Sequence, residues 1–327
     1  MNTKSLGKSD FQVPRLGVGA MTWGNPSGLA RWTPATLAYG GAHGSEEEKR
    51  AFEASVEAGV NLFDTAEFYS GGASESRMGE LASGKYVLLA TKFPPSPFSR
   101  TEDMPQALEA SLKRLGRSTV DLYQHHFPSS RVSNPKLMEL MADAVEAGKV
   151  RAVGVSNYSA EQMRIAHAAL AKRGIPLASN QIEYSLLHRQ PEVNGVLDAC
   201  RELGITLIAY QPLASGALTG KYVAGTRPTG LRRFMGYFRQ KGSEAVARVL
   251  ALLSEIGGRY SKSPAQVALR WLIENESVLP IPGAKNGKQA AHNAEALSFR
   301  LTPAEIEALN QATIAWQGVE AKLEADR

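Results

Sequence analysis

The 327-residue chain has one cysteine, Cys200, so no disulfide can form within it. A reducing compartment is expected, read here as the cytoplasm. Cys200 falls in a helical pattern over 196–203, where a lone thiol is more often a small buried hydrophobe than a nucleophile. No apolar run approaches the ~18 residues that span a bilayer. The opening residues, Met1 to Lys8, have no apolar stretch, so neither a signal peptide nor a membrane partner is expected. Charge of one sign is also scarce: the net charge is +5, and lysine and arginine are scattered except for a cluster at 231–241. A nucleic-acid reader would show a basic stripe and a recognisable module. Neither is seen, and nucleic acid is not an expected partner. A mildly positive field does suit an anionic cofactor or substrate. No Pro/Ser-rich linker interrupts the sequence, so residues 1–327 are read as a single domain.

What is present is a rhythm. Residues 3–14 carry the turn cluster Gly7-Lys-Ser-Asp10 between two extended pieces and read as a hairpin that caps something. A glycine-rich loop to Gly44 holds Trp23, Trp32 and Tyr39; a connector of that length is usually functional or disordered, and the aromatics favour a substrate wall. Ser45-Glu-Glu-Glu48 reads as a capping box opening a helix. Short apolar, β-branched runs then recur at 16–20, 60–63, 86–91, 119–124, 150–155, 177–181, 205–210 and 277–281. Between them lie helical patterns at 73–82, 104–115, 135–147, 159–171, 192–203, 243–256 and 264–274, several closed by glycine. Further helices at 288–297 and 303–315 end the chain. That alternation predicts parallel βαβ units. An open dinucleotide-binding sheet would carry Gly-x-Gly-x-x-Gly after its first strand, and Gly17-Val-Gly-Ala-Met-Thr does not complete it. The expected fold is therefore α/β, a (β/α)8 TIM barrel with an N-terminal β-hairpin cap and extra C-terminal helices.

Nearly every strand exits into a polar residue: Asp64 with Tyr69, Lys92, His126, Ser156-Asn157, Gln181 and Tyr210. Singly, each has a plain reading: Asp64 as a turn cap, Lys92 as a solvated strand end, His126 as a satisfied core histidine. Jointly they fall on the C-terminal rim, where barrels keep their chemistry. A phenol is a poor acid near neutrality; a neighbouring ammonium favours its phenolate, and a buried ammonium needs a counter-charge such as Asp64. Histidine can hydrogen-bond a substrate oxygen. Together these groups polarise and protonate a carbonyl oxygen. The hydride that completes the reaction comes from no side chain, which implies a nicotinamide cofactor.

The segments Asp64-Thr-Ala-Glu-Phe-Tyr69, Leu89-Ala-Thr-Lys92, Asp121-Leu-Tyr-Gln-His-His-Phe-Pro128, Gly154-Val-Ser-Asn157, Asn180-Gln-Ile-Glu-Tyr184 and Ile281-Pro-Gly-Ala-Lys285 resemble the aldo-keto reductases. The branch most similar is that of pyridoxal reductases and potassium-channel β subunits. The resemblance implies NADP(H), Tyr69 as general acid, Lys92 and Asp64 as the pair that tunes it, and His126, two residues before Pro128, as the group orienting the carbonyl. It also implies that Ser156, Asn157 and Gln181 hold the nicotinamide carboxamide and that Tyr210 stacks on the ring. Gly19 and Met21 fall on the same implied surface. Gln211, Leu213, Ser215 and Lys221 correspond to a loop around the pyrophosphate, and Gly283, Lys285, Gln289 and Asn293 to the adenosine-phosphate end. Two positions depart from the commoner pattern: Gln289 stands for an arginine and His292 for a glutamate, which leaves a 2′-phosphate to Lys285 and Lys288. The basic, aromatic stretch 225–241 reads either as a surface loop or as a flap contributing Arg227, Arg232 or Arg233. Trp23, Trp32 and Phe93 are candidates for the substrate pocket, although packing explains each as readily. The expected activity is reduction of a small-molecule aldehyde or ketone by a monomer or weak homo-oligomer. Two alternatives stand beside it: an NADPH-binding, redox-sensing subunit acting through a protein partner, and a barrel lyase using Lys92 as a Schiff base.

Overall fold

The hairpin comes first because Gly7 can turn the chain. Strands β1 (Thr3–Ser5) and β2 (Gln12–Pro14) pair antiparallel, and the turn between them places Gly7 at φ +57 against the backbone of Ala178. The computed structural model describes residues 3–26, 28–32, 34–39, 44–94, 100–222 and 226–318. Eight parallel strands follow: β3 (Val18–Gly19), β4 (Leu62–Asp64), β5 (Leu88–Phe93), β6 (Val120–His125), β7 (Val150–Ser156), β8 (Leu177–Glu183), β9 (Thr206–Tyr210) and β10 (Val278–Pro280). Their order in the sheet is their order in sequence. The ladder closes on itself: Gly17 N donates to Pro280 O at 3.0 Å, Gly19 N to Pro282 O at 3.1 Å, and Gly19 bridges Gly283 in parallel. This is the closed barrel expected from the alternation.

Two cores follow from the alternation of side chains across each strand. Leu62, Leu88, Leu122, Ala152, Ile208 and Leu279 point inward and meet Leu6, Phe11 and Val13 of the hairpin, which plugs the barrel floor. The other faces pack against the surrounding helices in a second, larger cluster that includes Phe63, Leu89, Tyr123 and Val153. A Cβ at position 7 would stand 2.4 Å from Ala178 O. Gly7→Val, which adds that clash to a left-handed backbone, is expected to cost about 1–3 kcal/mol of stability, read as a lower urea midpoint.

The helices are α1 (Pro34–Tyr39), α2 (Ser45–Glu57), α3 (Ala73–Ala82), α4 (Met104–Leu115), α5 (Asn134–Glu146), α6 (Ala160–Ala171), α7 (Val196–Leu203), α8 (Gln240–Tyr260), α9 (Pro264–Glu274), α10 (Gly287–Ala294) and α11 (Pro303–Ala312). Reciprocal capping boxes open α6, α9 and α11 at Ser159, Ser263 and Thr302. The box read at Ser45–Glu48 does not form: Gly44 is the cap and no side chain caps α2. Glu48 is buried, and its carboxylate accepts from Gly24 N at 3.1 Å and from Arg77 Nε at 3.0 Å. A buried carboxylate gains more from a charged partner than from a helix end. The helix read from 192 starts instead at Val196, after a 3-10 turn at Gln190–Glu192. The long connection read as 211–242 ends earlier, at the start of α8 at Gln240, and contains 3-10 turns at Ala214–Thr219, Gly230–Phe234 and Gly236–Phe238. Among the described residues no helix is long and apolar enough to cross a membrane.

Candidate active site

β4 and β5 deliver their polar ends to the same spot. Lys92 is wholly buried, and its Nζ lies 2.5 Å from Asp64 Oδ2, 2.8 Å from Thr65 O and 3.4 Å from Tyr69 Oη. The same ammonium sits 4.9 Å from the centre of the Tyr69 ring. Tyr69 arrives on a loop tied to β5 through Thr65 N to Ala90 O at 2.8 Å. Directly after it, Ser70, Gly71 and Gly72 all take positive φ. Ser70 at φ +53 is a left-handed serine next to the phenol, the kind of backbone strain that surrounding structure must hold in place. Arg114 of α4 does part of this: its Nε meets Glu75 Oε2 at 2.6 Å, and Glu75 Oε1 accepts from Thr91 Oγ1 at 2.5 Å, beside Lys92.

His126 follows β6. Its backbone N donates to Phe93 O at 2.9 Å, its ring meets the Tyr69 ring edge-on at 5.6 Å, and it stacks on Phe127 at 4.5 Å. Its Nδ1 is buried with no hydrogen-bond partner among the described residues. Burial, with Lys92 and His125 adding positive charge nearby, pushes its pKa down to about 2, so the imidazole is neutral. The neighbouring His125 faces the other way, its Nδ1 2.7 Å from Tyr158 Oη and its ring stacked on Phe93.

The charges differ from the sequence expectation in one respect. Burial raises the Tyr69 pKa above its ordinary value; Lys92 lowers it and Asp64 raises it again, and burial prevails. For Lys92, burial opposes the charge, yet Asp64 and Tyr69 outweigh it and the pKa is raised. The resting pair is a neutral phenol beside a charged ammonium, which is a proton donor and not a phenolate.

Above this floor opens a cavity of about 810 Å³. Asp64, Tyr69, His126, Gln181 and Tyr210 line its inner end, while Lys92 lies beneath it. Gly19, Met21, Ser156 and Asn157 line it as well. Ser156 Oγ donates to Gln181 O at 2.9 Å, Asn157 Nδ2 to His126 O at 3.1 Å, and Tyr210 Oη to Asn157 Oδ1 at 3.0 Å. The cavity runs outward past Gln211, Leu213 and Ser215 to Lys221, Gly283, Lys285, Gln289 and Asn293.

That outer end is built for an anion. Gln211, Ala214 and Ser215 have φ of +54, +48 and +55, and Gly216 follows at +94. The tight turn spends its own N–H groups, Ala214 N on Gln211 O at 2.8 Å, Ser215 N on Gln211 Oε1 at 3.0 Å and Gly216 N on Leu213 O at 2.9 Å, so the positive charge at this end comes from side chains. Lys285 is held through Nζ to Tyr39 O at 3.1 Å, and Arg232 through Nε to Ala38 O at 3.1 Å and Nη1 to Ser215 O at 3.2 Å. Burial lowers the Lys285 pKa, and Arg232 and Lys221 lower it further. None of these three cations has a carboxylate partner among the described residues. Gln289 is turned back on its own turn, its Oε1 accepting from Lys285 N at 3.0 Å, and His292 Nε2 lies 3.0 Å from Ser263 Oγ. Asn293 Nδ2 donates to Gly283 O at 3.2 Å. Arg227 and Arg233 are exposed and lie outside the lining, Arg233 resting on Phe234; Lys288 is also outside it.

The pocket-wall candidates are placed elsewhere. Trp23 is buried with Nε1 donating to Ala284 O at 2.8 Å, and Phe93 is buried against His125. Trp32 is 72% exposed. None of the three lines the cavity, whose aromatic lining beyond Tyr69 and Tyr210 comes from Tyr39, Phe68, Phe127 and Tyr222. Trp23, on the turn after β3, is drawn inward by burial and its bond to Ala284 O, whereas Phe68 and Phe127 sit beside the reactive residues on the rim loops. Their adjacency to Tyr69 and His126 was the available signal. Gln124, inside the barrel, was also missed, although an amide in an otherwise apolar strand asks for a partner.

The profile of the Aldo/keto reductase family matches residues 15–314. A chloroplastic pyridoxal reductase from Arabidopsis thaliana is 38% identical over 313 residues, covering 89% of this chain and 81% of that protein. An NADP(+) aldo-keto reductase from Schizosaccharomyces pombe is 31% identical, with 95% and 91% covered. Among solved structures, a glycerol dehydrogenase from Gluconobacter oxydans superposes with a TM-score of 0.81 at 25% identity, covering 96% of this chain and 95% of that one. An aldo/keto reductase from Klebsiella pneumoniae in complex with NADP and acetate gives 0.72 at 25% identity, with 95% of each chain covered.

Proposed function

This chain belongs to the aldo/keto reductase family, and from that premise we propose that it is an NADPH-dependent oxidoreductase reducing the carbonyl of a small aldehyde or ketone to the alcohol. The observation that carries the reading is the reach of Lys92 Nζ to both Asp64 and Tyr69 beneath an open cavity. The residues present fit the cofactor. Ser156, Asn157, Gln181 and Tyr210 would hold its nicotinamide, and Lys221, Arg232 and Lys285 its phosphates. When bound, NADPH supplies the hydride for the carbonyl carbon. Tyr69 Oη donates its proton to the carbonyl oxygen, and Lys92 stabilises the phenolate that remains. Neutral His126 presents an N–H to the same oxygen and fixes its direction. Asp64 keeps Lys92 charged.

A Schiff base on Lys92 is disfavoured because its Nζ is buried and holds its proton. A purely cofactor-sensing subunit would need no buried ion pair under a phenol. The assembly is taken as a monomer or weak homo-oligomer, to be read by size-exclusion chromatography. The test is loss of NADPH absorbance with a panel of aldehydes and ketones, with Tyr69→Phe as control. Tight NADPH binding without turnover of any carbonyl would return the regulatory reading.

The titrations make a further prediction. Because the Tyr69 pKa is raised, the phenol stays protonated through neutrality, and kcat/KM for reduction should be flat between about pH 6 and 8. Alcohol oxidation needs the phenolate as base and should rise with pH over the same span. His126, with its pKa near 2, should add no step near pH 6. Profiles in both directions check this; a step near pH 6 in reduction would overturn the neutral-imidazole assignment.

A further inference from the structure

We propose that Gln124 is a positioning residue for the proton-donating group, orienting the Asp64 carboxylate so that Lys92 stays within reach of Tyr69; the inference rests on the proposed carbonyl reduction.

Gln124 is wholly buried in β6, beside Lys92 of β5 in the ladder. The interior layer below it is apolar: Leu62, Leu88, Leu122 and Ile208. A leucine would fill the site without needing partners, whereas a buried amide left unpaired costs about 1–3 kcal/mol. Gln124 finds its partners in the active site. Its Nε2 donates to Asp64 Oδ1 at 3.2 Å, and its Oε1 lies 3.5 Å from Gln181 Nε2, which itself donates to Asp64 Oδ1 at 2.8 Å. Space for it is made by Gly154 on β7, where a Cβ would stand 2.9 Å from Gln124 Cγ and 2.3 Å from Ser179 Oγ.

The carboxylate is thereby divided. Oδ1 takes two neutral amide donors and Oδ2 takes the ammonium. Without Gln124, one donor is lost, Oδ1 carries more unshared charge, and the carboxylate is free to turn both oxygens toward Lys92. Nζ already spans 3.4 Å to Tyr69 Oη, so any pull toward Asp64 weakens that contact first. Gln124 does not line the cavity, and cofactor binding should not depend on it directly.

Gln124→Met nearly keeps length and volume and removes both the donor and the acceptor of the amide. The expected result is a fall in kcat on the order of tenfold in both directions, with KM and NADPH affinity within about twofold. The pH midpoint for alcohol oxidation should move up by ~0.5–1 unit, because a less satisfied Asp64 disfavours the phenolate. The same upward shift is expected without cofactor or turnover, in the ¹³Cζ resonance of labelled Tyr69, assigned by its loss in Tyr69→Phe. An unchanged resonance midpoint would overturn the proposal; absence of turnover by the parent chain, with the resonance shift intact, would instead overturn the carbonyl-reductase reading. Gln124→Glu supplies a second arm should the methionine variant not fold. Its carboxylic acid donates to Asp64 only while protonated, so the tyrosine resonance should track a new, lower-pH ionisation absent from the parent. No such ionisation would likewise sink the idea.

Discussion

Lys92→Met is expected to cost both activity and stability. Lys92 is the group that stabilises the phenolate left by proton transfer, and methionine offers Tyr69 no charge. Loss of an effective general acid should lower kcat for carbonyl reduction by about 10²–10⁴-fold. The stability effect has a separate origin: Asp64 is 3% exposed and would lose its 2.5 Å ammonium partner. Removing one member of a buried pair typically costs about 3–5 kcal/mol, since the remaining charge is left in low dielectric. Gln124 and Gln181 still donate to Oδ1, which favours the lower end of that range. The double variant Lys92→Met/Asp64→Asn should recover much of the stability and none of the activity. Urea midpoints and NADPH-coupled rates on the same preparations separate the two effects. A Lys92→Met enzyme with parental kcat would remove Lys92 from the mechanism.

The second large effect concerns cofactor choice. Lys221, Arg232 and Lys285 stand together at the outer end of the cavity, and the lowered Lys285 pKa reflects burial and then the two neighbouring cations. Bringing a phosphate to them relieves that repulsion and supplies charge-assisted hydrogen bonds of about 1.5–3 kcal/mol each, roughly 10–100-fold in Kd. Lys285→Ala is expected to weaken NADPH by about that factor and NADH much less, because Gln289 is committed to the backbone of Lys285 and offers no second cation. Arg232→Ala, next to the positive-φ turn at Ser215, should weaken both nucleotides alike. Fluorescence titrations at two salt concentrations read both, and the parent should lose affinity more steeply with salt than either variant. Equal losses of NADPH and NADH in Lys285→Ala would reassign Lys285 to the diphosphate.

Much of this was legible before any coordinates. The strands announce themselves because a parallel barrel buries them on both faces and so demands short, continuous apolar runs. Their polar exits stand out against that background: an acid after Phe63, a lysine after Thr91, a histidine before Phe127. The four residues Asp64, Tyr69, Lys92 and His126 could therefore be grouped by chemistry alone, and the structure brings them together. The pattern Ser-x-x-Glu at 45–48 misled because capping is a local rule, and Glu48 is buried where Arg77, far along the chain, offers a stronger partner.

What the sequence determined by itself is the alternation of strands and helices and the reactive side chains at the strand exits, since each depends on neighbours within an element or the turn after it. The count of strands then pointed to a barrel, and its closure is made by Gly17 and Gly19 meeting Pro280 and Pro282. What only the tertiary structure decided is who faces whom. Trp23 turns to Ala284, Tyr39 to Ser215 and Lys285, and Gln124 to Asp64. Those choices are made by burial and by the cost of leaving a buried polar group unpaired, and the partners lie tens to hundreds of residues away, where no local pattern can record them.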